Sequence, residues 1–521
     1  MEAFHFILKD LFNKALPIYG EKIAIQFEGK KISYEELNRQ ANCLAHALIN
    51  HGVGLEDAVA MIMSNCIEFA IVDIGIMKAG AAKVAPNDML GEKEYLYILQ
   101  ESQPKVVIVG EKFYEMIERL RNQVPSIQTV VGLTEAVPEG FISWDDFLDG
   151  MPHSDPQVQV RPHHRALIAF TGGTTGTPKG VIHSQYTQTM SMIAHIIEME
   201  FHDQDKNLLM TPLSHAAGRR LLSGLLKGAT HIITERFDPV KALEIIEKER
   251  ITTIGMVPTM IYRLLDAMES NDFDVSSIRM ISYGASPIAE ERLKQGIKKF
   301  GKVFHQNYGQ TEVPNLISRL TKFEHSLDAD KVHRLRSCGR PCFMSEVKIV
   351  DEDGNEVPRG ELGEIVVKSP YMMAGYLNRP DLTAQTIKNG WLHTGDIGKM
   401  DEDGYIYLMD RKKDMIISGG MNIYSSEVEH VIHKHPGVDQ VAVIGIPHDD
   451  WGEQVMALII PNAEQPPTEE DIFQYCDRYL AKYKRPKKIK FVDEFPLTPY
   501  GKVDKNELRK PYWKDEKRAI H

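Results

Sequence analysis

Hydrophobic residues recur with two periods along most of this chain. Between Tyr34 and Asn50, Leu37, Ala41, Leu44, Ala45 and Leu48 fall on one face of a helix. Asp57 to Met63 and Lys105 to Gly110 read as strands, and Glu111 to Gln123 as a helix. Asp238 followed by Pro239 starts another helix, with the acid as cap and proline in the first turn. It runs to Arg250 and leads into a β-branched strand, Ile251 to Val257. Such alternation, continuing to about Trp391, predicts an α/β fold whose parallel sheets are covered by helices. The longest apolar stretch, Phe69 to Ala85, is interrupted by Asp73, Lys78 and Lys83, which predicts a buried segment rather than a membrane span.

The pattern changes beyond Trp391. Asp401 to Gly404 is a turn, and Tyr405 to Met409 a strand ending in the charged run Asp410-Arg411-Lys412-Lys413-Asp414. Ser426-x-x-Glu429 resembles a capping box for a helix bearing Val428, Val431 and Ile432. Gln440 to Ile446 and Gln454 to Ile460 follow as strands. Thr468 then precedes a helix with Ile472, Phe473, Cys476, Tyr479, Leu480 and Tyr483 in register. That is apolar material for a separate small core of about one hundred residues. We therefore expect a large N-terminal domain of βα-layered sheets, residues 1–412, and a small mobile α+β domain, residues 413–521.

Composition narrows the class. The 521 residues are 43% hydrophobic and 26% charged, values of a globular chain. A formal charge of −12 argues against nucleic acid as the main partner. Five cysteines imply no disulfide framework and suit a reducing compartment. The amino terminus does not read as a secretory signal, nor the carboxyl terminus as a lipidation tag. A cytoplasmic protein with no transmembrane segment is expected. Cys338 and Cys342 lie near His333 without a CxxC pair or a fourth ligand, which argues against zinc. The basic run from Lys482 to Lys490 reads as a solvated face.

The most informative segment is Thr171-Gly172-Gly173-Thr174-Thr175-Gly176-Thr177-Pro178-Lys179-Gly180, which follows the strand-like run Ala166 to Phe170. Its glycines let backbone N–H groups converge, its threonines add hydroxyls and Lys179 adds charge, a combination suited to a polyphosphate. A Walker A loop has glycine directly before lysine and then Ser or Thr; here Pro178 precedes and Gly180 follows.

Further segments join this loop. They are Tyr283-Gly284-Ala285-Ser286-Pro287, Asn307-Tyr308-Gly309-Gln310-Thr311-Glu312, Gly390 to Asp396, Asp410 to Gly420, and Pro496 to Lys502. In this order they resemble the adenylate-forming superfamily of acyl-CoA synthetases, peptide-synthetase adenylation domains and luciferases. The resemblance covers nearly the whole chain, on the acyl-CoA synthetase branch. One position departs: Gly172 stands where the family usually has Ser, so one hydroxyl is missing from the loop.

The resemblance implies a two-step reaction with ATP, Mg²⁺ and CoA. A carboxylate attacks the α-phosphorus of ATP to give an acyl-adenylate and pyrophosphate, and a thiol then displaces AMP. Both reactants of the first step are anions, so charge neutralisation and positioning carry it. By resemblance Thr171, Gly172, Gly173, Thr174, Thr175, Gly176 and Lys179 hold phosphates, and Glu312 with Thr175 serves the metal. Thr311 meets the α-phosphate. Gly284, Ala285, Ser286, Asn307, Tyr308 and Gly309 enclose the base, and Asp396 takes the ribose hydroxyls with Arg411 assisting. Lys502 bridges the carboxylate and the α-phosphate. Lys413 matches a hinge, and Ser418, Gly419 and Gly420 line the approach of CoA.

The acyl pocket is expected beside Pro212-Leu213-Ser214-His215-Ala216-Ala217-Gly218. His215 lies at its carboxylate end, with Ala216, Gly218, Tyr283 and Gly309 around it. A medium- or long-chain fatty acid or an aromatic acid fits this reading. Arg219 and Arg220 are unusual there, and solvent or a salt bridge is the expected destination of both, with a second polar group on the substrate as the alternative. The Phe-Asp-Xaa-Ser context of amino-acid adenylation is replaced by Phe237-Asp238-Pro239-Val240, and no carrier domain follows. An amino-acid or aryl-acid adenylating enzyme that loads a carrier protein is the alternative within the family. A P-loop ATPase and an inactive nucleotide-binding protein are the alternatives outside it. Whether the chain pairs as a homodimer is left open.

Overall fold

The computed structural model describes residues 6–171, 178–269, 271–286, 288–411, 414–498 and 503–513. These form two compact units, one built from 6–171, Pro178–Glu346 and Lys368–Leu392, the other from Val347–Val367 and 393–513. The division falls at Leu392 rather than after residue 412. Strand Gly363–Lys368 lies beside Trp391–Met400 in one sheet, so the segment before it belongs with the later part. The hinge expected at Lys413 lies outside the described residues.

Two sheets organise the larger unit. In the first, parallel strands Phe304–Tyr308, Met280–Gly284, Thr253–Met256, Lys206–Leu209, Thr230–Ile233 and Ile23–Phe27 lie side by side, with antiparallel strands at both edges. In the second, Arg165–Phe170 runs parallel to Ala82–Val84, and strands Ala58–Ile62, Val106–Val109 and Thr129–Gly132 continue that direction. The βα alternation read from the sequence is thus present.

Helix Tyr34–Asn50 forms over the residues its period predicts, capped by Ser33. Asp238 caps helix Pro239–Glu249, its Oδ1 accepting from the Lys241 amide at 2.9 Å. The region 111–123 is α-helical only at its centre, Tyr114–Leu120, with 3₁₀ turns on either side. Helix Ile67–Lys78 is buried all round, and the charge that interrupts it is neutralised internally, Lys83 Nζ lying 2.6 Å from Asp73. Among the described residues no helix is long and apolar enough to cross a membrane.

The smaller unit holds a sheet in which Gly452–Pro461 pairs with Val438–His448 and with Lys488–Phe491, over a core of Ile416, Val428, Ile432, Val443, Ala457 and Ile472. Helix Glu469–Tyr479 follows Thr468 as predicted, and Thr468 caps it, accepting from the Asp471 amide at 3.2 Å. Two expectations are corrected. Ser426 lies inside helix Ser425–Ile432, and Glu429 makes no capping box; its carboxylate accepts from the Val443 amide at 2.7 Å and pairs with Lys505. Tyr479 and Tyr483 are exposed, because the helix ends at Tyr479 and a 3₁₀ turn redirects the chain. Within the basic run, Lys484 meets Glu427 and Arg485 meets Asp477, each at 2.6 Å, so two of its charges are paired rather than merely solvated.

Candidate active site

Parallel sheets bind ligands beyond the carboxyl ends of their strands, and the expected base-binding segments stand there. Gly284 ends Met280–Gly284 and is paired with Asn307 on the adjacent strand Phe304–Tyr308. A Cβ at Gly284 would meet the Asn307 carbonyl oxygen at 2.3 Å, so only glycine fits this close pairing. Ala285, immediately beyond, has φ +69°, a left-handed conformation that costs a non-glycine residue about 1 kcal/mol. A Cβ at Gly309 would strike the Asn315 backbone at 2.5 Å. These segments therefore sit side by side, Ala285 exposed and Tyr308 buried.

Alternation along Met280–Gly284 sorts its side chains. Ser282 faces helix Ala216–Leu226, its hydroxyl accepting from Arg220 at 2.7 Å. Tyr283 takes the opposite face, 2% exposed, its hydroxyl 2.9 Å from His325 Nε2 and its ring against Phe304. Tyr283 was expected at the acyl pocket; the structure places it in the core beneath the strand, because residues one apart on a strand point to opposite faces.

The glycine- and threonine-rich loop connects two antiparallel strands, Arg165–Phe170 and Gly180–Ser184, rather than a strand and a helix. At its neck the Thr171 amide donates to the Lys179 carbonyl at 3.0 Å, and the Lys179 amide donates to Thr171 Oγ1 at 3.2 Å. Gly172, Gly173, Thr174, Thr175 and Gly176 lie outside the described residues. Next to this neck, Gly375–Tyr376 pairs with Gly180–Ser184, Tyr376 opposite Val181. Tyr376 donates its phenol to Glu312 Oε1 at 2.7 Å, and Lys179 Nζ sits 5.2 Å from the centroid of its ring. Burial, reinforced by the Glu312 charge, pushes the Tyr376 phenol far up, so it stays a donor. The Met373 amide holds the Glu312 carbonyl at 2.8 Å. Lysine, phenol and carboxylate thus form one assembly beside the loop.

Sequence reasoning did not single out Tyr376, whose place depends on a pairing between segments far apart in the chain. Nor did it find His183, which is fully buried and donates Nε2–H to the Thr311 carbonyl at 2.9 Å. Burial, with Arg219 adding to it, pushes the His183 imidazole down to about 3, so it is neutral.

His215 is exposed, just ahead of helix Ala216–Leu226, and Ala216 is half-buried. Gly218 is required by packing, since a Cβ there would lie 2.1 Å from the Leu213 carbonyl oxygen. Arg220 does not take the expected course to solvent or an ion pair, whereas Arg219 keeps part of its surface exposed and makes no ion pair among the described residues. Arg220 is 5% exposed and bonded to neutral groups, and Arg219 is half-buried.

In the smaller unit Asp396 and Arg411 are cross-strand partners, Asp396 Oδ1 and Arg411 Nε 3.5 Å apart, with Asp396 7% exposed. Glu364 steadies this turn: it pairs with His393 Nδ1 at 3.2 Å and accepts from the Gly395 amide at 3.1 Å. Gly419 and Gly420 form the turn of a hairpin between Ile416–Ser418 and Met421–Ile423, at φ +57° and +77°. The Gly419 amide donates to the Trp451 carbonyl at 2.8 Å. Lys502 lies outside the described residues. Among the described residues no three His, Cys, Asp or Glu side chains are grouped to hold a metal.

Glycine-bearing strand ends in one sheet, with Lys179, Tyr376 and Glu312 gathered at the neck of a glycine-rich segment, define an α/β protein of layered parallel sheets. The family model of the AMP-binding enzymes matches residues 12–377, and that of the AMP-binding enzyme C-terminal domain matches residues 427–502. The chain belongs to the AMP-binding enzyme family, the adenylate-forming superfamily. It is 37% identical over 486 residues to the medium/long-chain-fatty-acid–CoA ligase FadD8 of Mycobacterium tuberculosis, covering 90% of this chain and 84% of that one. It is 33% identical over 491 residues to the feruloyl-CoA synthase of an Amycolatopsis species, covering 94% and 96%. The ATP-bound structure of MatB from Rhodopseudomonas palustris superimposes with a TM-score of 0.88 at 29% identity, covering 98% of this chain and 99% of that one.

Proposed function

We propose that the chain is an AMP-forming acyl-CoA ligase. A carboxylate oxygen attacks the α-phosphorus of ATP, pyrophosphate leaves, and the acyl-adenylate is then attacked by the CoA thiol with release of AMP. The acid has an alkyl or aromatic body, like those named for the relatives. The observation that carries the reading is the assembly of Lys179, Tyr376 and Glu312, the last just beyond the strand on which Asn307 pairs with Gly284.

Each group has work in that reaction. Lys179 and the neck of the loop receive the outer phosphates, and Gly284, Ala285, Ser286, Asn307, Tyr308 and Gly309 receive the base. Asp396, oriented by Arg411, takes the ribose. Glu312 fits Mg²⁺: it is a hard oxygen donor, Tyr376 occupies only one of its oxygens, and among the described residues no basic side chain lies within salt-bridge distance of it. Bound there, the ion neutralises phosphate charge. Thr175, Thr311 and His215 complete the set, and Lys502 supplies the positive charge that lets two anions meet. Lys413 is the hinge that withdraws it, and Ser418, Gly419 and Gly420 admit the thiol. The activity is placed in the cytoplasm, which suits five cysteines that are all free.

Pyrophosphate and AMP released only when a carboxylic acid is added would support the proposal, whereas ADP would refute it. Lys502→Ala should slow acyl-adenylate formation by about 100- to 1000-fold while thioester formation from supplied acyl-adenylate continues. Equal loss of both half-reactions would remove Lys502 from this role.

A further inference from the structure

Two neighbouring arginines in the first turns of helix Ala216–Leu226 are held in opposite ways. Arg220 is built in: Nη1 donates to Ser282 Oγ at 2.7 Å, Nη2 to Asn207 Oδ1 at 2.9 Å, and its guanidinium carbon lies 5.4 Å from the centroid of Phe201. Arg219 makes only two long bonds to neutral groups, both from Nη1, to Ser191 Oγ at 3.2 Å and Gln188 Oε1 at 3.4 Å. Among the described residues its Nε and Nη2 donate to nothing, and no carboxylate lies within salt-bridge distance of it. Nε and Nη2 form the edge of a guanidinium that matches a carboxylate with two parallel hydrogen bonds.

The surroundings leave that charge uncancelled. Asp73, whose charge acts on Arg219, is 3% exposed and already neutralised by Lys83 at 2.6 Å. His195, 2% exposed, has no hydrogen-bond partner at either ring nitrogen. Burial first, then Arg219 and Arg220, push the His195 imidazole down to about 3, so it is neutral and adds no charge. His183, on which the Arg219 charge also acts, is neutral as well and donates to the Thr311 carbonyl, next to Glu312. A half-buried cation without a counter-charge is only partly solvated, and an anion that joins it is correspondingly favoured.

We propose that Arg219 receives a second carboxylate on the acid substrate, so that the enzyme activates one end of a dicarboxylic acid. This rests on the acyl-CoA ligase reading above. Ser191 and Gln188 hold Nη1 and leave the Nε–Nη2 edge free for that group.

The test compares α,ω-dicarboxylates from succinate to sebacate with monocarboxylates of matched length, reading acid-dependent pyrophosphate release. It uses the wild-type chain, Arg219→Gln and Arg219→Lys. At the best length the wild type should favour the dicarboxylate in kcat/KM by about 10- to 100-fold, the yield of a paired charge-assisted hydrogen bond. Arg219→Gln should bring that ratio close to one, and Arg219→Lys should keep part of it. A wild type that prefers the monocarboxylate at every length overturns the inference, whether or not the variants fold. So does a ratio unmoved in a variant with an unchanged melting temperature. If neither series releases pyrophosphate while ATP is hydrolysed to ADP, the ligase reading itself fails.

Discussion

The two units differ in the titratable groups they bury, although both hold matched ion pairs such as Lys83 with Asp73 in the larger one. In the smaller unit Lys505 is half-buried but matched, with Nζ 2.7 Å from both Glu429 Oε1 and Ser425 Oγ. Burial lowers its proton affinity, yet Glu429, Asp410 and Asp414 outweigh that and hold its pKa above the usual lysine value. Asp414 in turn accepts from Arg509 at 2.9 Å. The larger unit instead buries His183, His195, His231, His305 and His325, while no described histidine of the smaller unit is buried. It also leaves Arg219 without an acid.

Acid should break this symmetry most. Burial pushes His183, His195, His231 and His305 down to about 3 and His325 to about 4. These folded values lie below the ordinary 6.5, so the unfolded chain takes up protons first as the pH falls. Stability present above 6.5 is therefore lost progressively down to the folded values, at about 1.4 kcal/mol per pH unit for each histidine. Hydrogen exchange mapped onto each unit at about pH 7 and about pH 5 should show the larger unit loosening first; earlier opening of the smaller unit would contradict the contrast drawn here.

A smaller effect should follow from removing the matched cation. Lys505→Met leaves Glu429 and Asp410 facing each other and should destabilise the smaller unit by roughly 3 kcal/mol, toward the low end of a buried pair because Lys505 is partly exposed. Urea unfolding followed at Trp451 and Trp513 measures it, and a shift below a few tenths would make the cluster a surface one. Smallest is Tyr376→Phe, which removes one neutral donor from Glu312 and should cost about 1 kcal/mol. We expect a several-fold rise in the Mg²⁺ concentration needed for half-maximal activity, with an unchanged melting temperature. No rise would show that Glu312 is held by the backbone alone.

The long periodic helices, the cap at Asp238, the helix after Thr468 and the ordered site motifs were all legible in the residues themselves. Each depends on neighbours within a turn or two, or on a contiguous segment whose chemistry travels with it. The failures share a cause as well. The Ser426 capping box was a correct local pattern, but Glu429 found a stronger use at Val443 and Lys505. Tyr283 sits within a site motif, yet strand alternation turned its ring into the core.

The sequence by itself determined the family, the order of the site segments and the βα character of the larger unit. Only the tertiary structure decided that Tyr376 bonds to Glu312, that His183 bonds to the Thr311 carbonyl, and that Arg220 is held by short bonds to Ser282 and Asn207 while Arg219 makes only longer ones. Those outcomes rest on strand register and on helix–sheet packing between segments distant in the chain. Burial of a charge has no local signature, because its energy depends on partners that only folding brings within reach.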